Sequence, residues 1–173
     1  IFPLSVFAQP DYVFTGGSLI SGVDLQIGAS YRFPEVKPGI DGIITIIDMT
    51  GGMTLAQIDG PSGFDEAFQP YINCAGNQKG YVEFQLDFVL GGTFTPALMD
   101  EVPLTAIDID GWKFGDGDLY EFDQFEKSPL FTEEYDLIGP SLQISDLGSW
   151  TEAQNITAIT YDGIDTIQRD VMY

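Results

Sequence analysis

The stretch Tyr81–Leu90, YVEFQLDFVL, alternates without a break. Val82, Phe84, Leu86, Phe88 and Leu90 fall on one side, and Tyr81, Glu83, Gln85 and Asp87 on the other. A period of two held over this length marks a strand with one buried and one wetter face. Shorter apolar runs bounded by Gly, Pro, Asn and Asp predict further strands. They lie at Val23–Phe33 (ended by Pro34), Ile40–Met49, Thr54–Ile58, Leu104–Asp110, Leu119–Phe125, Leu142–Leu147, Ile156–Tyr161 and Ile167–Tyr173. Gly63–Tyr71 has room for a helical turn, but Pro70 cuts it short and a long loop is expected. No apolar i, i+3, i+4, i+7 pattern persists long enough for a substantial helix. Strands without intervening helices predict an all-β chain, an antiparallel β-sandwich of jelly-roll or immunoglobulin-like type.

Composition supports a folded, exported protein. The 173 residues, 44% of them apolar, suffice for one domain with a core and argue against disorder. The opening IFPLSVFAQ places Val6 and Ala8 as a signal-peptidase site requires. Residues 1–8 are therefore expected to be a signal-peptide remnant, with a single sandwich domain at 9–173; the alternative is an ordinary first strand. Tyr173 falls within a predicted strand, so the domain is expected to be truncated there, its closing strand or strands and its neighbouring domains belonging to a longer chain. No other apolar run approaches the roughly 20 residues of a helical membrane span.

Charge narrows the partners. The chain carries 27 acidic against 6 basic residues, a formal net charge of −21. Nothing in it can form the basic stripe that meets phosphates, so no nucleic-acid partner is expected, and anionic membranes would repel it. Such acidity suits cations and solubility in a salty exterior. With no histidine anywhere, a Ser-His-Asp or Cys-His nucleophilic site and a His-ligated zinc or haem are excluded. The lone Cys74 rules out an internal disulfide and is expected to be a small buried hydrophobe.

The densest chemistry lies in TAIDIDGWKFGDGDLYEFDQF, residues 105–125. Asp108, Asp110, Asp116, Asp118, Glu121 and Asp123 crowd it, with Lys113 the one base among them. Alternation predicts Asp108 with Asp110 on one strand face and Glu121 with Asp123 on another, meeting across a Gly111–Asp118 loop. Carboxylates so placed must be solvated, protonated or bound to a cation. Asp108, Asp110, Asp116, Asp118 and Glu121 are accordingly candidate oxygen ligands of a Ca²⁺ ion. The spacing is not that of an EF-hand, because Trp112 stands where a third ligand belongs. The alternative is a solvated hairpin turning at Asp116-Gly117. Glu83, Asp87 and Glu121 are candidates for the carboxylate pair of a glycoside hydrolase, which needs a separation of roughly 5–10 Å. Trp112, Tyr120 and Trp150, with Phe131 and Tyr135, could form a sugar-stacking surface or cap the core ends. Asn155-Ile156-Thr157 matches a glycosylation sequon, a pattern short enough to arise by chance.

The succession PGIDGIITI, TLAQID, EAFQPYI, GYVEFQLDFV, GTFTPALMDEVPLTAIDIDG, LYEFDQF and YDGIDTIQRDVMY resembles a domain of large secreted and cell-surface, adhesin-like proteins of Bacteroidetes. The resemblance covers most of residues 31–173, and TAIDIDG with its following Glu-Phe and the late Gly-Ile-Asp are its most specific parts. It implies a surface module with no attached activity, and it implies metal ligands only at Asp108, Asp110 and Glu121. The reading that follows is a non-catalytic secreted or cell-surface structural or adhesion module, stabilised by calcium, whose partner is an extracellular polysaccharide or another surface ligand. A carbohydrate-binding module is the second reading and a secreted glycoside hydrolase-like enzyme the third.

Overall fold

The structure is a computed structural model and describes residues 12–60, 66–74, 76, 78–114, 117–133, 141–160 and 172–173. The expected leader at 1–8 lies outside the described residues. The chain divides into two compact units, Ile1–Pro103 and Leu104–Tyr173. The described residues form antiparallel strands and no helix. They make separate sheets of four, three, two and two strands. The all-β expectation holds, but sheets this small and separate do not establish the expected sandwich.

In the first unit, β1 (Ser18–Ser21), β2 (Ser30–Lys37), β3 (Ile40–Met49) and β6 (Val82–Leu90) build a sheet in the order β1-β2-β3-β6; β4 (Thr54–Gln57) pairs with β5 (Tyr71–Asn73). Strand β3 is central, and its run from Asp41 to Ile44 is buried on both faces, as the near-continuous apolar stretch there requires. Strand β2 differs from expectation because it begins later and passes through Pro34. A register shift between Phe33 and Lys37, with Glu35 at φ 49°, moves burial from Tyr31 and Phe33 onto Val36. Proline is tolerated at such a bulge, where no ladder donor is needed. Gly39 at φ 78° closes the β2–β3 turn.

The core of this unit is aromatic. Phe14 meets Phe33 at 5.5 Å, Phe33 meets Phe68 at 6.1 Å, and Phe68 meets Phe84 at 5.2 Å, all steeply inclined. Each such pair contributes about 0.5–1.5 kcal/mol beyond the area it buries. Val82, Phe84, Leu86 and Phe88 of β6 pack against this cluster as the alternation predicts, while Leu90 is exposed.

In the second unit, β7 (Gly111–Phe114) pairs with β8 (Gly117–Tyr120), and β9 (Phe122–Glu126), β10 (Leu142–Asp146) and β11 (Trp150–Asn155) form a sheet in the order β10-β11-β9. Its core is smaller: Ala106, Ile109, Ala153 and Tyr173, with Phe125, Leu142 and Ile144 packed against it. The expected strand at 104–110 is irregular. Ala106 exchanges both backbone hydrogen bonds with Tyr173, but Asp108 at φ 67° breaks the extended run. The strand expected at 119–125 is interrupted at Glu121. The strand expected at 156–161 is displaced to Trp150–Asn155, because a turn at Asn155 and Ala158 at φ 50° end it. Of the strand expected at 167–173, only 172–173 are described.

Candidate functional site

Asn155 organises the acidic half of the second unit. Its side chain is 1% exposed. Its Nδ2 donates to the Ile109 carbonyl at 3.1 Å, and its Oδ1 accepts from the backbone N–H groups of Thr157 (2.9 Å) and Ala158 (3.0 Å). This Asx turn ends β11 and pins the segment entering β7. Gly111 lies within the same junction, where a Cβ would come within 2.7 Å of the Ala158 Cα and 2.8 Å of the Leu119 carbonyl. The sequon match at Asn155 is thus a structural hub, its amide buried and bonded. The sequence signal for the hub was an Asn at the end of an alternating run.

Glu121 sits where the chain changes partners. Its N–H donates to the Asp110 carbonyl at 3.1 Å, extending the β7–β8 ladder, and its carbonyl accepts from Asn155 N–H at 2.9 Å, extending the β9–β11 ladder. Asp123 is opposite Ala153, and Phe125 opposite Thr151. Cross-strand partners share a face, so Glu121, Asp123 and Phe125 lie on the side of the sheet that holds buried Thr151, Ala153 and Asn155. Two carboxylates therefore occupy positions on the core-facing side of an edge strand.

Loss of hydration raises the Glu121 carboxyl to about 7, and the charges of Asp110 and Asp123, then Asp108, push the same way. Loss of hydration alone raises Asp123 to about 6. Both residues are nevertheless exposed to solvent. The surrounding protein mass desolvates them while water still reaches one side, so their effect on stability is smaller than for sealed groups. Asp108, Asp110, Glu121 and Asp123 are thus electrostatic neighbours, as the crowded sequence predicted. Asp108 owes its place to an irregular segment and a positive φ, not to strand alternation.

The remaining candidates are more scattered. Asp118 lies opposite Lys113 and accepts from Tyr120 Oη at 3.3 Å. Asp116 and Tyr135 lie outside the described residues. Among the described residues, no group of three or more acidic side chains is placed to hold one metal ion. The carboxylates described therefore do not by themselves fit a Ca²⁺ ion, which takes six to eight oxygens. Trp112 pairs with Leu119, and Tyr120 with Gly111. These two aromatics consequently lie on opposite faces of the ribbon, while Trp150 opens β11 opposite Glu126. Glu83 and Asp87 stand four residues apart on β6, about 13 Å along the strand, wider than a glycosidase carboxylate pair. Cys74 is exposed rather than buried, because it follows β5 on a strand whose residues are all exposed.

Periodicity gave no sign of one polar assembly in the first unit. Asp41, 3% exposed, accepts from Arg32 Nη1 (2.8 Å), Glu35 N–H (2.9 Å) and Gly92 N–H (2.9 Å). Arg32 Nη2 donates to the Thr93 carbonyl at 2.7 Å, and the guanidinium lies 4.6 Å from the Phe94 ring centroid. The Glu35 and Gly92 hydrogen bonds, more than Arg32, hold the Asp41 carboxyl below its ordinary value. Loss of hydration opposes them, more strongly than either the hydrogen bond or the charge of Arg32 helps. The assembly fastens the β2 bulge and the turn after β6.

Comparison with protein-family models, with characterised proteins and with solved structures finds no match.

Proposed function

We propose that this chain is a non-catalytic module of a secreted or cell-surface protein, a β-sandwich-type unit with a structural or adhesive role. One observation carries the reading: two buried polar centres, Asp41 and Asn155, direct most of their hydrogen bonds to backbone groups of loops and turns. Polar groups used this way fix the shape of a surface. A high acidic charge and the likeness of the TAIDIDG and Gly-Ile-Asp segments to Bacteroidetes surface proteins point the same way. Incubating the full chain with extracellular polysaccharides tests it, with retention on the polymer and reducing-end release measured together. Retention or no interaction, without release, is expected; release that disappears in Glu121→Gln would contradict the reading.

Carbohydrate binding is the second reading, favoured by Trp112, which is 53% exposed. It predicts retention that Trp112→Ala abolishes. Calcium stabilisation requires ligands beyond the described carboxylates. A melting temperature unchanged by EDTA would remove it, since an ion at about 100 times its Kd adds roughly 2.7 kcal/mol to the native state.

A further inference from the structure

Strand β6 ends its sheet, and only part of its outer edge is covered. Leu90 N–H donates to the Thr95 carbonyl and Phe88 carbonyl accepts from Ala97 N–H, each at 2.9 Å. Residues 88 and 90 therefore turn their backbone groups away from β3. By the two-residue period, Phe84 and Leu86 do so too. Among the described residues, no strand or loop takes the outward N–H and C=O groups of these two residues. The Arg32–Asp41 assembly holds the covering turn over one end, and among the described residues the edge at Phe84 and Leu86 is left open. Edge strands are usually blunted by charged side chains, Pro or a bulge on the strand itself; β6 has no Pro and no bulge, and its two charges, Glu83 and Asp87, are both acidic.

The side chains say what fits. On the wetter face the edge shows Glu83, Gln85 and Asp87, with Gln85 Nε2 donating to Asp87 Oδ2 at 2.8 Å. On the other face, half-buried Phe84 and Leu86 leave apolar surface beside the core. We propose that the open edge of β6 takes up an extended segment of another protein as an additional strand, with the pattern basic–apolar–polar–apolar–basic. Its basic residues meet Glu83 and Asp87, and its apolar residues continue the row of Phe84 and Leu86. A second copy of this chain fits poorly. Pairing Phe84 with Leu86 of the copy sets Glu83 against Asp87, and like charges directly opposite destabilise a strand pair. The inference rests on reading the chain as a binding module.

Fluorescence anisotropy of the full chain, at low salt, with labelled peptides Lys-Val-Thr-Val-Lys and Glu-Val-Thr-Val-Glu tests it. The basic peptide is expected to bind at least ten-fold more tightly. Leu86→Pro removes one outward donor without touching the β3 ladder and should weaken binding at least five-fold. Glu83→Lys with Asp87→Lys, two surface changes that leave the fold intact, should transfer the preference to the acidic peptide. Equal binding of both peptides, or a preference that survives the charge reversal, would overturn the proposal. So would a dimer of the free chain that Leu86→Pro dissociates, because the edge would then belong to a second copy. Polysaccharide turnover would contradict the binding-module reading while leaving these peptide results readable on their own.

Discussion

The two units of this chain share a strand-only architecture and handle carboxylates in opposite ways. In the first, Asp41 is ionised, held by two backbone N–H groups and a guanidinium. In the second, Glu121 and Asp123 occupy core-facing strand positions, and the charges of Asp110, Asp123 and Asp108 all act against an ionised Glu121. The first arrangement makes charge a fastener. The second makes it a source of instability that protonation or a cation relieves. A sheet with a large apolar face can place its charges at the rim; the second unit, whose described core cluster is Ala106, Ile109, Ala153 and Tyr173, sets two solvent-exposed carboxylates beside that small core.

Breaking the aromatic cluster should have the largest effect. Phe33→Ala, at a fully buried site touching two other rings, is expected to cost about 3–5 kcal/mol, read as lost hydrogen-exchange protection in β2 and β3. Asn155→Ala should follow at about 2–4 kcal/mol, since it strips the Thr157 and Ala158 N–H groups of their acceptor. Both tryptophans, Trp112 and Trp150, belong to the second unit, so tryptophan fluorescence reports this loss directly. Asp41→Ala should cost about 2 kcal/mol, leaving Arg32 and two N–H groups without their shared acceptor; exchange of the Glu35 and Gly92 amides measures it. Smallest and opposite in sign, Glu121→Gln with Asp123→Asn should stabilise the second unit at pH 8 by about 1 kcal/mol after allowance for solvent screening.

The framework of the first unit was legible because its determinants are local. Ile40–Met49 is rich in β-branched residues and matches β3 to the residue, and the alternation of 81–90 gives β6 to within one. The second unit is less legible because its shape turns on single residues. Asp108 and Ala158 adopt positive φ, and Glu121 divides one apparent strand between two ladders. Neither leaves a periodic trace. The crowding of Asp108, Asp110, Glu121 and Asp123 was visible from spacing, but the orientation of Glu121 and Asp123 follows from pairing with β11, which spacing does not encode. The Arg32–Asp41 assembly joins residues to a turn some 50 positions away, beyond any local pattern.

The opposed roles of charge predict opposed responses to pH. Asp41 is lowered in the folded state, so its contribution is complete above its ordinary value of 3.8 and is lost only as pH falls below that. Glu121 and Asp123 are raised, from 4.5 to about 7 and from 3.8 to about 6, so the folded second unit binds more protons than the unfolded chain within those windows. Its stability therefore falls as pH rises through them. A thermal melt of the full chain followed by tryptophan fluorescence at pH 5 and pH 8, alongside the Glu121→Gln/Asp123→Asn variant, tests this most directly. A higher melting temperature at pH 5 is expected, with a much smaller difference in the variant. Equal temperatures, a higher one at pH 8, or a pH dependence that the variant keeps in full would contradict it.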